Sequence, residues 1–266
     1  MSTGKLKNLI ILILLLTCGF LLVLVLPARM EMHRRSEETT RRLRELMAEA
    51  DVTLECALPE AKDLRAAELA GSGTIYADVV TALLGDKVLS SQTAYRTEYT
   101  ADGGTLLLRT NGFTAALQGR EAAPDPRAET ETLLAGFGIT HYTLRREDGE
   151  DALRFFAAPQ LYGVPLFSSE LCFVYRDGVL TEVSGLPLRE ACVTPTGQKR
   201  CCSAQDALVA FWGKRLSLGW VGSRVESIEQ GYLPEDPGTL RPVWKIGTDT
   251  GAYYVDGLTR AVIRAD

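Results

Sequence analysis

The sequence predicts an α+β protein: an N-terminal transmembrane helix followed by tandem helix-plus-antiparallel-sheet units. Three observations carry that expectation. An uncharged apolar run opens the chain, short alternating segments bounded by turn residues fill most of the rest, and one order of helix and hairpins occurs twice towards the C-terminus.

The apolar run spans residues 9–26, LIILILLLTCGFLLVLVL, and only Thr17, Cys18 and Gly19 interrupt its aliphatic character. At about 1.5 Å of rise per residue it reaches about 27 Å, close to the ~30 Å hydrocarbon core of a bilayer. A cleaved signal peptide has an apolar region of only about 7–15 residues before a small-residue cleavage site. Here the run is longer and ends in Pro27-Ala28-Arg29. A lipid attachment at Cys18 is disfavoured by Thr17 before it and by the apolar residues that continue after it. The expected layout is a cytoplasmic tail at 1–8, a transmembrane helix at 9–27, a juxtamembrane helix at 28–50, a first α+β region at 51–123 and two repeats at 124–193 and 194–266. Within the span, Thr17, Cys18 and Gly19 are the small or polar positions that would let another helix pack closely.

Lys5 and Lys7 precede the run, and Arg29, Arg34, Arg35, Arg41, Arg42 and Arg44 follow it. Counted strictly, that excess favours a cytoplasmic C-terminal side. A short basic N-terminus nevertheless fits a signal-anchor, and long domains translocate despite charge. The expectation is a single-pass protein of the cell membrane with an extracytoplasmic C-terminal domain. The chain is 46% hydrophobic and 24% charged, enough for a proper core, and its net charge of −5 argues against a nucleic-acid partner.

Residues 29–50 are rich in helix formers, with Leu43, Leu46, Met47 and Ala50 in a thin apolar stripe. The stripe is shorter than a coiled coil needs, so packing on its own domain is favoured over zipping to a partner. Residues 52–58 alternate as a strand and stop at Pro59; residues 74–84 form a helix that stops at Gly85. Strands at 95–99 and 105–110 flank the hairpin turn Ala101-Asp102-Gly103-Gly104. The run Ala122-Ala123-Pro124-Asp125-Pro126 marks an internal boundary.

In the first repeat, Asp125 caps a helix with Pro126 at its first position and Leu133, Leu134 and Phe137 on its apolar face. Strands at 142–146, 152–157, 170–175 and 179–183 follow. In the second, Ser203 caps a helix, with Asp206 three residues on, and Ala204, Ala207, Leu208 and Phe211 form its inner stripe. Strands at 225–233, 240–246, 252–257 and 261–263 close the chain. Pro165-Leu166-Phe167 and Pro242-Val243-Trp244 each place a proline at a strand start, where a missing N–H costs least.

The chain has two histidines, His33 and His141, and contains no CxxC, phosphate-binding loop or dinucleotide-binding fingerprint. Neither a catalytic triad nor a metal site is expected, and no cofactor. Cys56, Cys172, Cys192, Cys201 and Cys202 lie beyond the apolar run, an odd number that leaves at least one unpaired. Cys192 with Cys201 or Cys202 would close a short disulfide loop; buried free thiols are the alternative. Aromatic residues cluster in both repeats, and those on outer faces, with Tyr162, Phe167, Trp244 and Tyr253 as candidates, would anchor a protein partner.

The strings Gln160-Leu161-Tyr162-Gly163-Val164-Pro165-Leu166-Phe167 and Leu240-Arg241-Pro242-Val243-Trp244-Lys245-Ile246, the latter followed by Ala252-Tyr253-Tyr254-Val255-Asp256-Gly257, resemble the YycI/YycH-type regulatory proteins of Gram-positive bacteria. The closing pattern is also similar to PepSY-like modules. The resemblance implies a non-catalytic, membrane-anchored regulator. Its partners would be the lipid bilayer, a sensor histidine kinase of a cell-wall-related two-component system and a sister regulatory protein. The PepSY-like similarity alone implies a binding or inhibitory module acting on a secreted or membrane peptidase.

Overall fold

The computed structural model describes residues 11–20, 38–93, 96–109, 112–235 and 238–265. Strands dominate them, in one nine-stranded and one seven-stranded sheet.

The nine-stranded sheet runs β3 (Leu89–Gln92), β4 (Thr97–Ala101), β5 (Gly104–Arg109), β6 (Gly112–Leu117), β11 (Val179–Gly185), β10 (Leu171–Arg176), β8 (Leu153–Leu161) and β7 (Tyr142–Asp148), with β9 (Val164–Pro165) paired to β8. One face is covered by α2 (Ser72–Leu84) and α3 (Pro126–Gly136). The start of α3 follows from its sequence: the Asp125 carboxylate accepts the Arg127 and Ala128 N–H groups at 3.0 and 3.3 Å, and Pro126 sits where no N–H is needed. Inside, Tyr76, Phe113, Phe137 and Phe173 form a chain of ring contacts with centroids 6.1–6.5 Å apart. The opposite face is polar. There the Arg145 guanidinium lies 4.3 Å from the Phe156 ring centroid, its cross-strand neighbour.

The seven-stranded sheet runs β1 (Thr53–Leu54), β13 (Arg224–Glu235), β14 (Thr239–Thr248), β15 (Gly251–Asp256) and β16 (Val262–Arg264). In addition, β2 (Ala67–Leu69) pairs with β14 and with β12 (Val193–Pro195). Its helix α4 (Ala204–Lys214) starts where the Ser203 hydroxyl accepts the Asp206 N–H at 3.1 Å. A second helix, α1 at 38–48, lays Leu43 and Met47 on the same core beside Phe211, Trp220, Trp244 and Tyr253. Strand alternation sends Val243 and Tyr254 to the other face, where Phe167 packs on them.

These observations correct the fold expected from sequence. The structure is mostly sheet with few helices, and the strands of the first repeat do not form a separate unit. Strand β6 pairs with β11, with Ala115 opposite Val183, and so joins the 89–117 strands to the repeat in one sheet. The expected N-terminal transmembrane helix is overturned as well: no helix among the described residues is long and apolar enough to cross a membrane. The stretch described there, 11–20, is helical and exposed. The remainder of the expected span, the 1–8 tail and the arginines at 29, 34 and 35 lie outside the described residues.

Candidate functional site

The two sheets meet where β9 passes β13. Leu166 forms an isolated parallel bridge with Tyr232, and the Phe167 N–H donates to the Tyr232 carbonyl at 2.8 Å. This approach needs a glycine at 231, since a Cβ there would run into the Pro165 carbonyl and the Phe167 ring. The irregular segment 58–66 lies across the crossing as a strap. The Lys62 N–H donates to Gln230 Oε1 at 2.7 Å, and Gln230 Nε2 donates back to the Lys62 carbonyl at 3.1 Å. Lys62 Nζ donates to the Gly163 carbonyl, and Tyr232 Oη to the Arg65 carbonyl at 3.1 Å.

Cys201 and Cys202 sit beneath this strap, directly before the cap of α4. The Cys201 N–H donates to the Leu64 carbonyl at 2.9 Å, the Cys202 N–H to the Gly257 carbonyl at 2.7 Å, and Trp244 Nε1 to the Cys202 carbonyl at 2.9 Å. Both side chains are half-buried, and Cys201 packs against the cores of both sheets. Its sulfur fills the place where a Cβ on Gly257 would stand. The Cys202 S–H donates to the Cys201 sulfur; this bond outweighs the burial that opposes it, and the Gln230 amide adds to it, so the Cys201 pKa lies below its ordinary thiol value. For the same reason the Cys202 proton is held tightly and its pKa is raised. Asp256 closes the floor of the site. Burial pushes its pKa up, but the Thr259 and Leu258 N–H groups at 2.9 and 2.7 Å and the Arg241 guanidinium at 2.7 Å together hold it below the usual carboxylate range. The site offers two adjacent thiols; among the described residues no cluster of three metal-binding side chains occurs.

A second feature is apolar and faces outward. Val209, Trp212 and Leu216 share a flank of α4 and its continuation, at i, i+3 and i+7, beside the buried stripe of Ala204, Ala207, Leu208 and Phe211. Leu216 is 79% exposed and Val221, in the same loop, 91%. The Arg215 guanidinium stacks 3.7 Å from the Trp212 ring centroid and gives this edge of the flank a positive charge. Beneath Val221, Trp220 Nε1 and Asp249 Oδ1 are both buried without a hydrogen-bond partner, and both converge on Gly222. Asp249 Oδ2 is occupied by the Ser223 N–H and hydroxyl at 2.8 and 3.0 Å.

The predicted residues are placed differently. Trp244 and Tyr253 pack in the core of the seven-stranded sheet and Phe167 on its other face, so of the four aromatic candidates only Tyr162 is exposed. Tyr162 stands at the sheet crossing with its ring 6.4 Å from that of Tyr232. Cys192 and Cys201 are free thiols, Cys192 buried with the nine-stranded sheet. Thr17, Cys18 and Gly19 lie on the exposed 11–20 helix, where the Thr17 hydroxyl donates to the Ile13 carbonyl at 2.7 Å. Sequence reasoning passed over Val209, Leu216 and Val221. Val209 carried a signal, being an apolar residue off the inner stripe of its helix.

No protein-family model matches the chain, and no curated protein matches it. Among solved structures it is similar in fold to an uncharacterized protein from Eubacterium rectale, at 12% identity and a TM-score of 0.48, over 81% of this chain and 90% of that one. It is also similar to the C-terminal domain of YpeB from Bacillus megaterium, at 10% identity and a TM-score of 0.39, over 75% and 99%.

Proposed function

We propose that the chain is a non-catalytic interaction module that regulates a partner protein by contact. The observation that carries this reading is the pair of exposed apolar side chains Val209 and Leu216 on one flank of α4, with exposed Val221 in the loop that follows and Arg215 stacked on half-buried Trp212 at their edge. Large apolar side chains grouped on a surface lose free energy when a partner covers them. A positive edge suits a partner whose own apolar patch is edged with carboxylates. The partner class implied by the sequence resemblance is a sensor histidine kinase, and such contact regulates only insofar as it favours one of the kinase's states.

The test places a photo-crosslinking amino acid at 216 or 221 of the full chain in cells of the native host. We expect a sensor histidine kinase to be captured at both positions, with capture at 221 reduced at least tenfold by Leu216→Glu. Burying a leucine or valine is worth about 1.5–3 kcal/mol, which corresponds to that loss. Capture of a peptidase instead would replace the kinase with the other partner class, and crosslinking from a control at the polar face, such as position 145, but not from 216 or 221 would refute the reading.

A further inference from the structure

We propose that Trp220 and Asp249 form a recognition site for a single hydroxyl group, that of a serine or threonine on the protein that covers the α4 flank. The proposal deepens the docking reading above and rests on it for the identity of the occupant. Trp220 is 5% exposed, and its indole N–H is buried without a hydrogen-bond partner. Asp249 Oδ1 is buried and unpartnered as well, and the two atoms meet at the place where a Cβ on Gly222 would stand. Buried polar atoms left unpaired are rare in a folded chain, because each forfeits its bonds to water for nothing in return. Neither group is free to turn away. The Phe211 ring packs on the Trp220 ring with centroids 5.1 Å apart, and the Ser223 N–H and hydroxyl hold Asp249 Oδ2 at 2.8 and 3.0 Å.

The chemistry of the two atoms selects what can join them. The indole nitrogen only donates and a carboxylate only accepts. An ammonium or guanidinium would satisfy Asp249 and leave the indole N–H facing another donor. A carboxylate or phosphate would satisfy the indole and be repelled by Asp249. A carbonyl would accept from Trp220 and give Asp249 nothing. A hydroxyl serves both, its oxygen accepting from Trp220 Nε1 while its proton goes to Asp249 Oδ1. Water has the same capacity, and the experiment below separates the two.

The pair is covered by the segment Val221–Gly222. Val221 is 91% exposed, so its side chain adds nothing to the core. Among the described residues neither Val221 nor Gly222 makes a backbone hydrogen bond. Trp220 before them is fixed, its backbone N–H donating to the Arg215 carbonyl at 3.0 Å, and Ser223 after them is tied to Asp249. Lifting the two residues between therefore breaks no hydrogen bond of their own, and Gly222 gives the backbone the freedom to do it. A partner seated on exposed Leu216 and Val221 brings its side chains to this cover.

The experiment uses the full-length chain, isotopically labelled at the indole nitrogens of its three tryptophans. Comparison with Trp220→Phe identifies the Trp220 N–H signal in the nuclear magnetic resonance spectrum. The chain is titrated with isopropanol and, in parallel, with acetone, which has the same carbon skeleton but no proton to donate. We expect isopropanol to move the Trp220 signal saturably and acetone not to. Asp249→Asn, which keeps an oxygen for Ser223, should abolish the isopropanol response. No saturable response to isopropanol, or an equal one to acetone, would overturn the proposal and leave a site for water only. In cells of the native host, photo-crosslinking from 216 should fall about tenfold in Trp220→Phe, the loss of one hydrogen bond at an interface. Capture from 216 undiminished in that variant would overturn the proposal and leave the α4 docking surface standing. Absence of capture from 216 in the otherwise unaltered chain would instead refute the docking reading, and with it the occupant named here.

Discussion

Tyr76 gives the sharpest test of how tightly α2 is packed on the nine-stranded sheet. Its side chain is buried, 4% exposed, and its ring meets Phe113 edge-on at 6.1 Å. Burial disfavours the phenolate and pushes the pKa up from 10.0 to about 12. The unfolded tyrosine ionises near pH 10, so between about 10 and 12 the unfolded chain binds fewer protons than the folded one. Stability contributed by the neutral phenol is therefore complete below pH 10 and is lost as pH rises through the folded pKa. At pH 11 the loss from this one group is about 1.4 kcal/mol, one unit of proton affinity. Tyr76→Phe keeps the ring and its edge contact while removing the titration. Urea unfolding followed by circular dichroism at pH 9, 10 and 11 measures the effect in both chains. Other groups titrate alike in the two, so the expected result is a gap that closes or reverses by about 1.4 kcal/mol in favour of Tyr76→Phe between pH 9 and 11. Parallel profiles would mean that water reaches the hydroxyl freely and that the packing of α2 described above is wrong.

Two further outcomes follow from the seven-stranded sheet. Trp244→Phe removes a fully buried indole and its 2.9 Å bond to the Cys202 carbonyl, and should lower the unfolding free energy by about 2–4 kcal/mol at pH 7 with an unchanged denaturant slope. Asp256 has a folded pKa held below its unfolded value, so its stabilisation is present above about pH 4 and disappears as pH falls through the folded pKa; Asp256→Asn should be less stable than wild type at pH 6 and lose less on acidification to pH 3, a difference read by thermal melts.

Much of the local structure was legible because it is set by neighbours in sequence. Asp125-Pro126 and Ser203 with Asp206 cap helices where the pattern placed them, since an N-cap needs only residues within one turn. The inner stripe of α4 follows for the same reason. Pairing between distant strands was not legible. Nothing in Phe113-Thr114-Ala115-Ala116 names β11 as its partner, yet that register fuses two predicted regions into one sheet. Burial of the aromatic candidates was missed because alternation separates two faces without saying which is covered. Trp244 and Tyr253 face α4, and Val243 and Tyr254 face away from it to be covered in turn by Phe167 from the other sheet. The strap was invisible for a further reason: segment 58–66 has no periodicity, and its role rests on backbone bonds to Gln230 and Tyr232.

The choice of the α4 flank over the sheet edges as the contact surface rests on what the edges offer. A partner strand adding to a sheet needs a run of open N–H and C=O groups without obstructing charge. Edge strand β7 carries Arg145, Arg146, Glu147 and Asp148 in succession, with Arg146 and Asp148 paired at 2.7 Å, an arrangement that resists such addition. At the other edge β3 is uncharged, but its four residues provide only about two outward-facing peptide bonds for a partner. Strand β16 is three residues long. The flank of α4 needs no backbone pairing at all. Its exposed leucine and valines contribute through area alone, and Arg215, already stacked on Trp212, adds charge without first having to be ordered. A partner that bound through an edge strand would be displaced by a proline at Ser91, whereas one bound at the helix flank would be indifferent to it.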